Sequence, residues 1–291
     1  MMDKQDNIAI NNLKDYFKKH EDVVMAFIFG SRARAKENVR PGSDWDIAVY
    51  FTPQKGYLEW EEQDREYLIE DRVWSDCVEI LKTDNVDLIV LNRIAASIAA
   101  TAIRGIPLVI KNYDLWLKFM LIITQEAEDY REFVDDYYAI SQRSASLTPQ
   151  DRESLKKTIS FLEEQMSIYS YFSDLSERDY TNDIHKRNDV ERWIENIVNS
   201  SLDLSKIILA SQKKIIPDTY SDSIKQAIWF LELPQDFVER FQRWVKLRNI
   251  LAHEYLDIKW KRISDFIQNS QEYFQALMEA AKGYLDESGE I

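Results

Sequence analysis

The chain has 291 residues, room for about two domains at ~100–200 residues each. Hydrophobic residues at 45% and charged residues at 30% allow real cores, while a net charge of −14 argues against a general nucleic-acid coat, DNA included. One cysteine, Cys77, rules out an internal disulfide; no apolar run nears the ~20 residues of a membrane helix, and no signal-peptide pattern opens the chain, so a soluble, cytoplasmic protein is expected.

Six Gly and six Pro leave little punctuation, which favours long helices over many short strands. Residues 23–30 form an apolar, β-branched and aromatic run ending in Gly30, the pattern of a buried strand. A basic helix-like segment and a turn at Pro41-Gly42-Ser43 follow. Residues 44–51 alternate as a second strand, residues 58–81 look helical, and residues 86–91 form a third strand. Residues 94–103 suit a helix ended by Gly105, and residues 107–110 a short edge strand. This alternation predicts an α/β fold, a mixed sheet with flanking helices, over residues 1–113.

Strand signals stop there. Residues 114–140 read as a helix leading into the polar stretch 141–150, so residues 114–148 are taken as a connecting helix and linker. Residues 149–291 are predicted to be an all-α bundle of four or five helices. Three apolar stripes at helical spacing mark it: Val190, Ile194, Ile197, Leu204 and Ile208; Phe237, Phe241, Trp244 and Leu251; and Ile263, Phe266, Ile267, Phe274, Leu277 and Ala281. Residues 240–262 also carry seven basic side chains against Glu254 and Asp257, a local net charge of +5 (seven minus two) in an acidic protein. The plain reading of that stretch is a solvated helix face.

Gly30-Ser31 stands where a buried strand turns into a helix. There, glycine permits close backbone approach and a helix N-terminus presents unpaired N–H groups to a phosphate. Alone such a pair is a weak signal, since these turns are common. Asp44 and Asp46, two apart on a strand, point to one face, and Asp87 at the start of the next strand brings a third carboxylate beside them. Three gathered carboxylates repel one another, and a bound divalent cation relieves them. Hard oxygen ligands suit Mg²⁺, and two such ions would activate an attacking oxygen and stabilise departing pyrophosphate.

The run Phe29-Gly-Ser-Arg-Ala-Arg-Ala followed by Gly42-Ser-Asp-Trp-Asp-Ile-Ala-Val resembles the minimal nucleotidyltransferase (MNT) domains of the polymerase-β-like superfamily, whose signature is Gly-Ser, a spacer and Asp-x-Asp. The resemblance covers residues 10–112. Twelve residues separate Ser31 from Asp44, a longer spacer than is usual in the family. It implies that Gly30, Ser31 and Arg32 bind the triphosphate of ATP. It also implies that Asp44, Asp46 and Asp87 hold Mg²⁺ and that Asp87 is the base for an acceptor hydroxyl.

The second chemistry-bearing segment is Leu247-Arg-Asn-Ile-Leu-Ala-His-Glu-Tyr. Histidine transfers protons near neutral pH, and arginine clamps a phosphodiester and offsets its developing charge. Arg248 and His253 are therefore residue types suited to metal-free RNA cleavage, with the ribose 2′-hydroxyl as nucleophile. A lone histidine is more often structural, and His20 and His185 are left in that class. Five residues on one helix place Arg248 and His253 roughly 140° apart at about 100° per residue. Asn249 and His253, by contrast, share a face, as do Arg248 and Tyr255. Pairing two copies across a twofold axis would bring Arg and His together from different chains.

Arg-x4-His-x-Tyr, with the upstream segments 189–198 and 200–209 and Ile216-Pro-Asp-Thr-Tyr, resembles the HEPN toxin ribonucleases that are encoded beside MNT antitoxins (type VII). The likeness spans residues 150–285. It implies a homodimer through the HEPN domain, RNA as target, Arg248 and His253 as catalytic residues supported by Asn249, and Tyr255 as the residue that receives AMP. The partners are normally separate chains, and here they are one. The expected function is a fused toxin–antitoxin protein whose MNT domain moves AMP from ATP to Tyr255 and silences the ribonuclease. An alternative is a nucleotidyltransferase acting on a small cationic antibiotic of the aminoglycoside type. A third is a non-catalytic RNA-binding or assembly module.

Overall fold

The computed structural model describes residues 4–33, 43–54, 58–62, 65–143, 147–253 and 260–287. It divides into two compact units, Met1–Glu128 and Asp129–Ile291.

The first unit opens with helix α1 (Lys4–Lys19) and strand β1 (Val23–Phe29), followed by the single turn α2 (Gly30–Ala33) and strand β2 (Trp45–Phe51). Helix α3 (Glu70–Leu81), strand β3 (Val86–Val90), helix α4 (Ala96–Ala102) and strand β4 (Ile106–Ile110) complete the sheet, in the order β3-β2-β1-β4. Strand β1 is antiparallel to both β2 and β4, whereas β2 and β3 are parallel, so the sheet is mixed as the sequence pattern predicts. Val-Val-Met-Ala-Phe-Ile-Phe forms β1 because β-branched and aromatic side chains pack well on a sheet covered on both faces. One face carries Ile28, Ile47, Val49 and Phe51 against Leu13 and Phe17 of α1 and Val73 and Cys77 of α3. The other carries Phe27, Ala48 and Tyr50 against Ala99 of α4 and Phe119 and Ile123 of helix α5 (Tyr113–Ser141).

Helix α1 has no counterpart in the sequence reading. Residues 58–69 differ from it as well: helix begins only at Glu70. The cause is a buried polar network. The Tyr50 hydroxyl donates to the Glu59 carbonyl at 2.9 Å and accepts from the Glu59 amide at 2.8 Å. The Glu59 carboxylate, 1% exposed, takes the Arg65 guanidinium and the Tyr67 hydroxyl. A buried carboxylate costs free energy unless it is paired, and bringing Arg65 and Tyr67 to Glu59 meets that need.

In the second unit lie the end of α5, then α6 (Pro149–Ser167), α7 (Tyr169–Ser173), α8 (Glu177–Asn182), α9 (Ile184–Ser211), α10 (Tyr220–Phe230), α11 (Asp236–His253), α12 (Trp260–Asn269) and α13 (Gln271–Glu287). Their starts are written in the sequence. Thr148 caps α6 by accepting the Asp151 amide, with Pro149 in the first turn; Asp183 caps α9 and Thr219 caps α10. All three predicted stripes lie in one hydrophobic core, with Phe237 packed at its edge. The third stripe belongs to two helices rather than one, because regular helix is interrupted at the buried Ser270. No helix among the described residues is long and apolar enough to cross a membrane.

Candidate active sites

In the first unit the candidate site forms where β1 ends and β2 begins. Asp46 is the register partner of Phe29 on one side and of Asp87 on the other, which puts the two carboxylates on one face of adjacent strands. Asp44 precedes Asp46 by two residues, and both Asp44 and Asp87 are exposed while Asp46 is half-buried. Desolvation raises the Asp46 carboxyl above its ordinary range, and the charges of Asp87 and Asp44 push it the same way. The Ser31 backbone N–H, donating to it, and Arg32 oppose the rise. The predicted convergence of three carboxylates is thus felt electrostatically. Among the described residues, though, no three His, Cys, Asp or Glu side chains are gathered into a group that holds a metal ion as they stand. The donor chemistry itself suits Mg²⁺: hard carboxylate oxygens of like charge at one edge of the sheet.

Gly30 adopts φ +69°, in the left-handed region that glycine enters without penalty. A Cβ built there falls 2.0 Å from Oδ2 of Asp46 and 2.7 Å from its Cγ. The glycine therefore leaves the space in which the Asp46 carboxylate sits against the turn. Gly30→Ala should strain this backbone and push the carboxylate aside. A displacement near 1 Å costs about 100-fold in a positioned reaction, so nucleotidyl transfer by Gly30→Ala is expected to fall by that order while circular dichroism stays unchanged.

Arg32 sits differently from a simple phosphate ligand. Its Nε donates to the Ser43 and Asp44 carbonyls at 3.0 and 3.2 Å, and Nη2 donates to Ser43 at 2.6 Å. Nη1 pairs with Asp6 of α1 at 3.1 Å, and the guanidinium lies 4.3 Å from the Trp45 ring centroid. It ties the backbone that carries Asp44 to the turn that carries Ser31. Sequence spacing contains no sign of this bracing role; only the tertiary contacts reveal it. Arg34, the second arginine of the same run, lies outside the described residues.

The second candidate site is on α11, which runs without a break from Asp236 to His253, so Arg248 and His253 share one helix. Arg248 is half-buried and held from several sides. Its Nε donates to Oδ1 of Asn199 on α9 at 2.7 Å, its Nη1 to Oδ1 of Asn249 at 3.1 Å, and its guanidinium carbon lies 5.1 Å from the Tyr220 ring centroid. Asn249 is buried, at 3% exposure. The sequence reading expects it to support the site, and the structure sets its Oδ1 against Arg248. Asn199 was not singled out in the sequence, and Tyr220 entered only as the end of Ile216-Pro-Asp-Thr-Tyr; their contacts to Arg248 span 49 and 28 positions. The His253 side chain and all of Tyr255 lie outside the described residues.

Comparison with known proteins gives two family matches in chain order. A family described as polymerase beta, nucleotidyltransferase matches residues 11–114, and one described as ribonuclease HepT-like matches residues 161–281. Among solved structures, the crystal structure of a toxin-antitoxin with AMP-PNP is 16% identical, over 44% of this chain and 97% of that one, with a TM-score of 0.41. The structure of the cytosolic protein of unknown function YutE from Bacillus subtilis is 19% identical, over 48% of this chain and 93% of that one, with a TM-score of 0.42. No curated protein matches the chain.

Proposed function

The chain joins a polymerase-β-type nucleotidyltransferase domain to a HepT-like HEPN domain, and from that premise we propose that it is a fused toxin–antitoxin protein: the first domain transfers AMP from ATP to Tyr255 of the second and so silences an RNA-cleaving site built on Arg248 and His253. The observation that carries this reading is the coexistence in one chain of the Asp46–Asp87 carboxylate pair behind Gly30-Ser31 and a buttressed Arg248 at the head of Arg-x4-His-x-Tyr.

In the transfer step, the Tyr255 oxygen attacks the α-phosphorus of ATP, the bond from that phosphorus to the bridging oxygen breaks, and pyrophosphate leaves with the electron pair. Asp87 accepts the phenolic proton. Gly30 and Ser31 border the triphosphate, and Arg32 supports the site by bracing the segment that carries Asp44. Asp44, Asp46 and Asp87 are the residues that would hold Mg²⁺, two ions by the usual chemistry of such carboxylates, and bound Mg²⁺ supplies charge for the attacking and leaving oxygens. The product places a phosphodiester charge and an adenosine beside Arg248 and His253. It competes with the RNA phosphate for the same guanidinium.

In RNA cleavage, Arg248 is the phosphate clamp. Asn199 and Asn249 fix its guanidinium before substrate arrives, so little side-chain freedom is lost on binding. His253 moves the proton of the 2′-hydroxyl. The angular separation of the two residues on the continuous helix α11 favours a homodimer through the HEPN domain, in which each cleavage site draws on both chains. The test is RNA cleavage by the full chain before and after incubation with ATP and Mg²⁺. Cleavage should be lost after incubation and retained when Asp46 has been replaced by Asn; silencing that proceeds equally in that variant would refute the link between the domains.

A further inference from the structure

Helices α6 and α9 leave a groove of about 280 Å³ between them, lined by Lys157 and Phe161 from α6 and by Asn196, Asn199 and Asp203 from α9, among others. The groove has no part in the two sites as described above, yet it touches one of them. Asn199, which forms part of its wall, is the residue whose Oδ1 holds Nε of Arg248 at 2.7 Å.

The lining is chemically mixed. Phe161 is 41% exposed, although its helix neighbours Ile159 and Leu162 are buried in the core, at 4% and 0%. Lys157 stands one turn before it, on the same face of α6, with its side chain 75% exposed and its Nζ 3.6 Å from the Glu153 carboxylate, an exposed i, i+4 pair too weak to hold the ammonium against a phosphate. The carboxylate of Asp203 lies 3.1 Å from Nζ of Lys206, which Asp136 shares at 3.0 Å, so its charge is offset only in part. The Asn196 amide nitrogen donates to Gln165 at 3.3 Å, which fixes that amide at the groove. Here one aromatic face is set among two amides and an ammonium, beside a fixed guanidinium.

The geometry points to a nucleotide subsite: the groove takes a base of the single-stranded RNA next to the scissile phosphate, with Phe161 as its stacking surface, Lys157 on the flanking phosphate and Asn199 joining the subsite to Arg248. Unpaired bases are recognised by stacking on aromatic rings and by hydrogen bonds to their edges, and amide side chains offer both donor and acceptor. The inference rests on the ribonuclease reading of the helical domain, and it adds where the RNA lies and which residues read it.

The experiment is fluorescence anisotropy with a labelled, mixed-sequence single-stranded oligoribonucleotide and the full chain carrying His253→Ala and Tyr255→Phe, which keeps bound RNA intact and leaves the silencing adduct no acceptor. Adding Phe161→Ala should weaken binding about 10-fold or more, the scale of one lost base–aromatic stack, and Phe161→Trp should restore it. Lys157→Gln should lower the slope of log affinity against log salt by about 1. Unchanged affinity in Phe161→Ala, with weakening by Arg248→Ala, would overturn the subsite and leave the ribonuclease reading standing. No RNA binding by the parent chain would overturn both. A change in self-association by Phe161→Ala, seen in light scattering with RNA affinity intact, would make the groove a contact between chains and likewise overturn the subsite.

Discussion

Replacing Asp46 with Asn should reduce AMP transfer by at least about 100-fold, the effect of losing one charged group from a preorganised phosphoryl-transfer site. The substitution is nearly isosteric. Asparagine can still accept the Ser31 N–H through its amide oxygen and still fits the space left by Gly30. What disappears is the charge, at a position that desolvation and the charges of Asp87 and Asp44 disfavour. Two consequences separate this effect from misfolding. The variant should be no less stable than the parent, because removing one of three like charges relieves repulsion. The Asp44→Asn, Asp46→Asn double variant should show no further structural change and no transfer. Transfer at the parent rate in the double variant, measured with ATP radiolabelled at the α-phosphate, would remove this site from the reaction.

Arg248→Ala and His253→Ala should each lower RNA cleavage by about 10²–10⁴-fold, the range for loss of a charge clamp or of a general acid–base group. The assay belongs in a Tyr255→Phe chain, where the silencing adduct has no acceptor. Arg248→Lys gives a sharper reading. An ammonium cannot keep the Nε contact to Asn199 and the Nη1 contact to Asn249 together, nor present a planar fork to a phosphate. Cleavage should therefore remain deeply impaired although the charge is retained. Full rescue by lysine would mean that charge alone matters and that the fixed geometry of the guanidinium does not. Growth inhibition that persists in cells expressing the His253→Ala variant would point to a toxic mechanism other than this cleavage.

Much of this arrangement was legible in the sequence, and the parts that were not share a physical reason. Alternation and β-branched composition located β1, β2 and β3, and with them the face shared by Asp46 and Asp87, because strand periodicity maps sequence directly onto side-chain direction. Residues 58–69 misled for the opposite reason. Their charges read as a solvated helix, whereas Glu59 turns inward to meet Arg65 and Tyr67, a choice made by tertiary contacts. Helix α1 is rich in Lys, Asn and Asp and announces itself weakly until Leu13 and Phe17 are seen packed against the sheet. Arg32 stood out as a candidate by position, but its placement between Asp6, Ser43 and Trp45 depends on three separate elements. Arg248 was found by its motif. The residues that hold it, Asn199 and Tyr220, belong to other helices; Tyr220 ends the Ile216-Pro-Asp-Thr-Tyr segment of the same resemblance, but no spacing in the sequence says that either one touches Arg248.

The central claim is that the first domain modifies the second at Tyr255, and peptide mapping by mass spectrometry of the full chain after incubation with ATP and Mg²⁺ tests it most directly. Mixing the Asp44→Asn, Asp46→Asn variant with a Tyr255→Phe chain in the same experiment also distinguishes transfer within a chain from transfer between chains. The expected result is one or more AMP units on the peptide that contains Tyr255, absent from Tyr255→Phe alone and from the Asp44→Asn, Asp46→Asn variant alone. An adduct on another residue, or an unmodified chain that instead nucleotidylates an aminoglycoside, would contradict it.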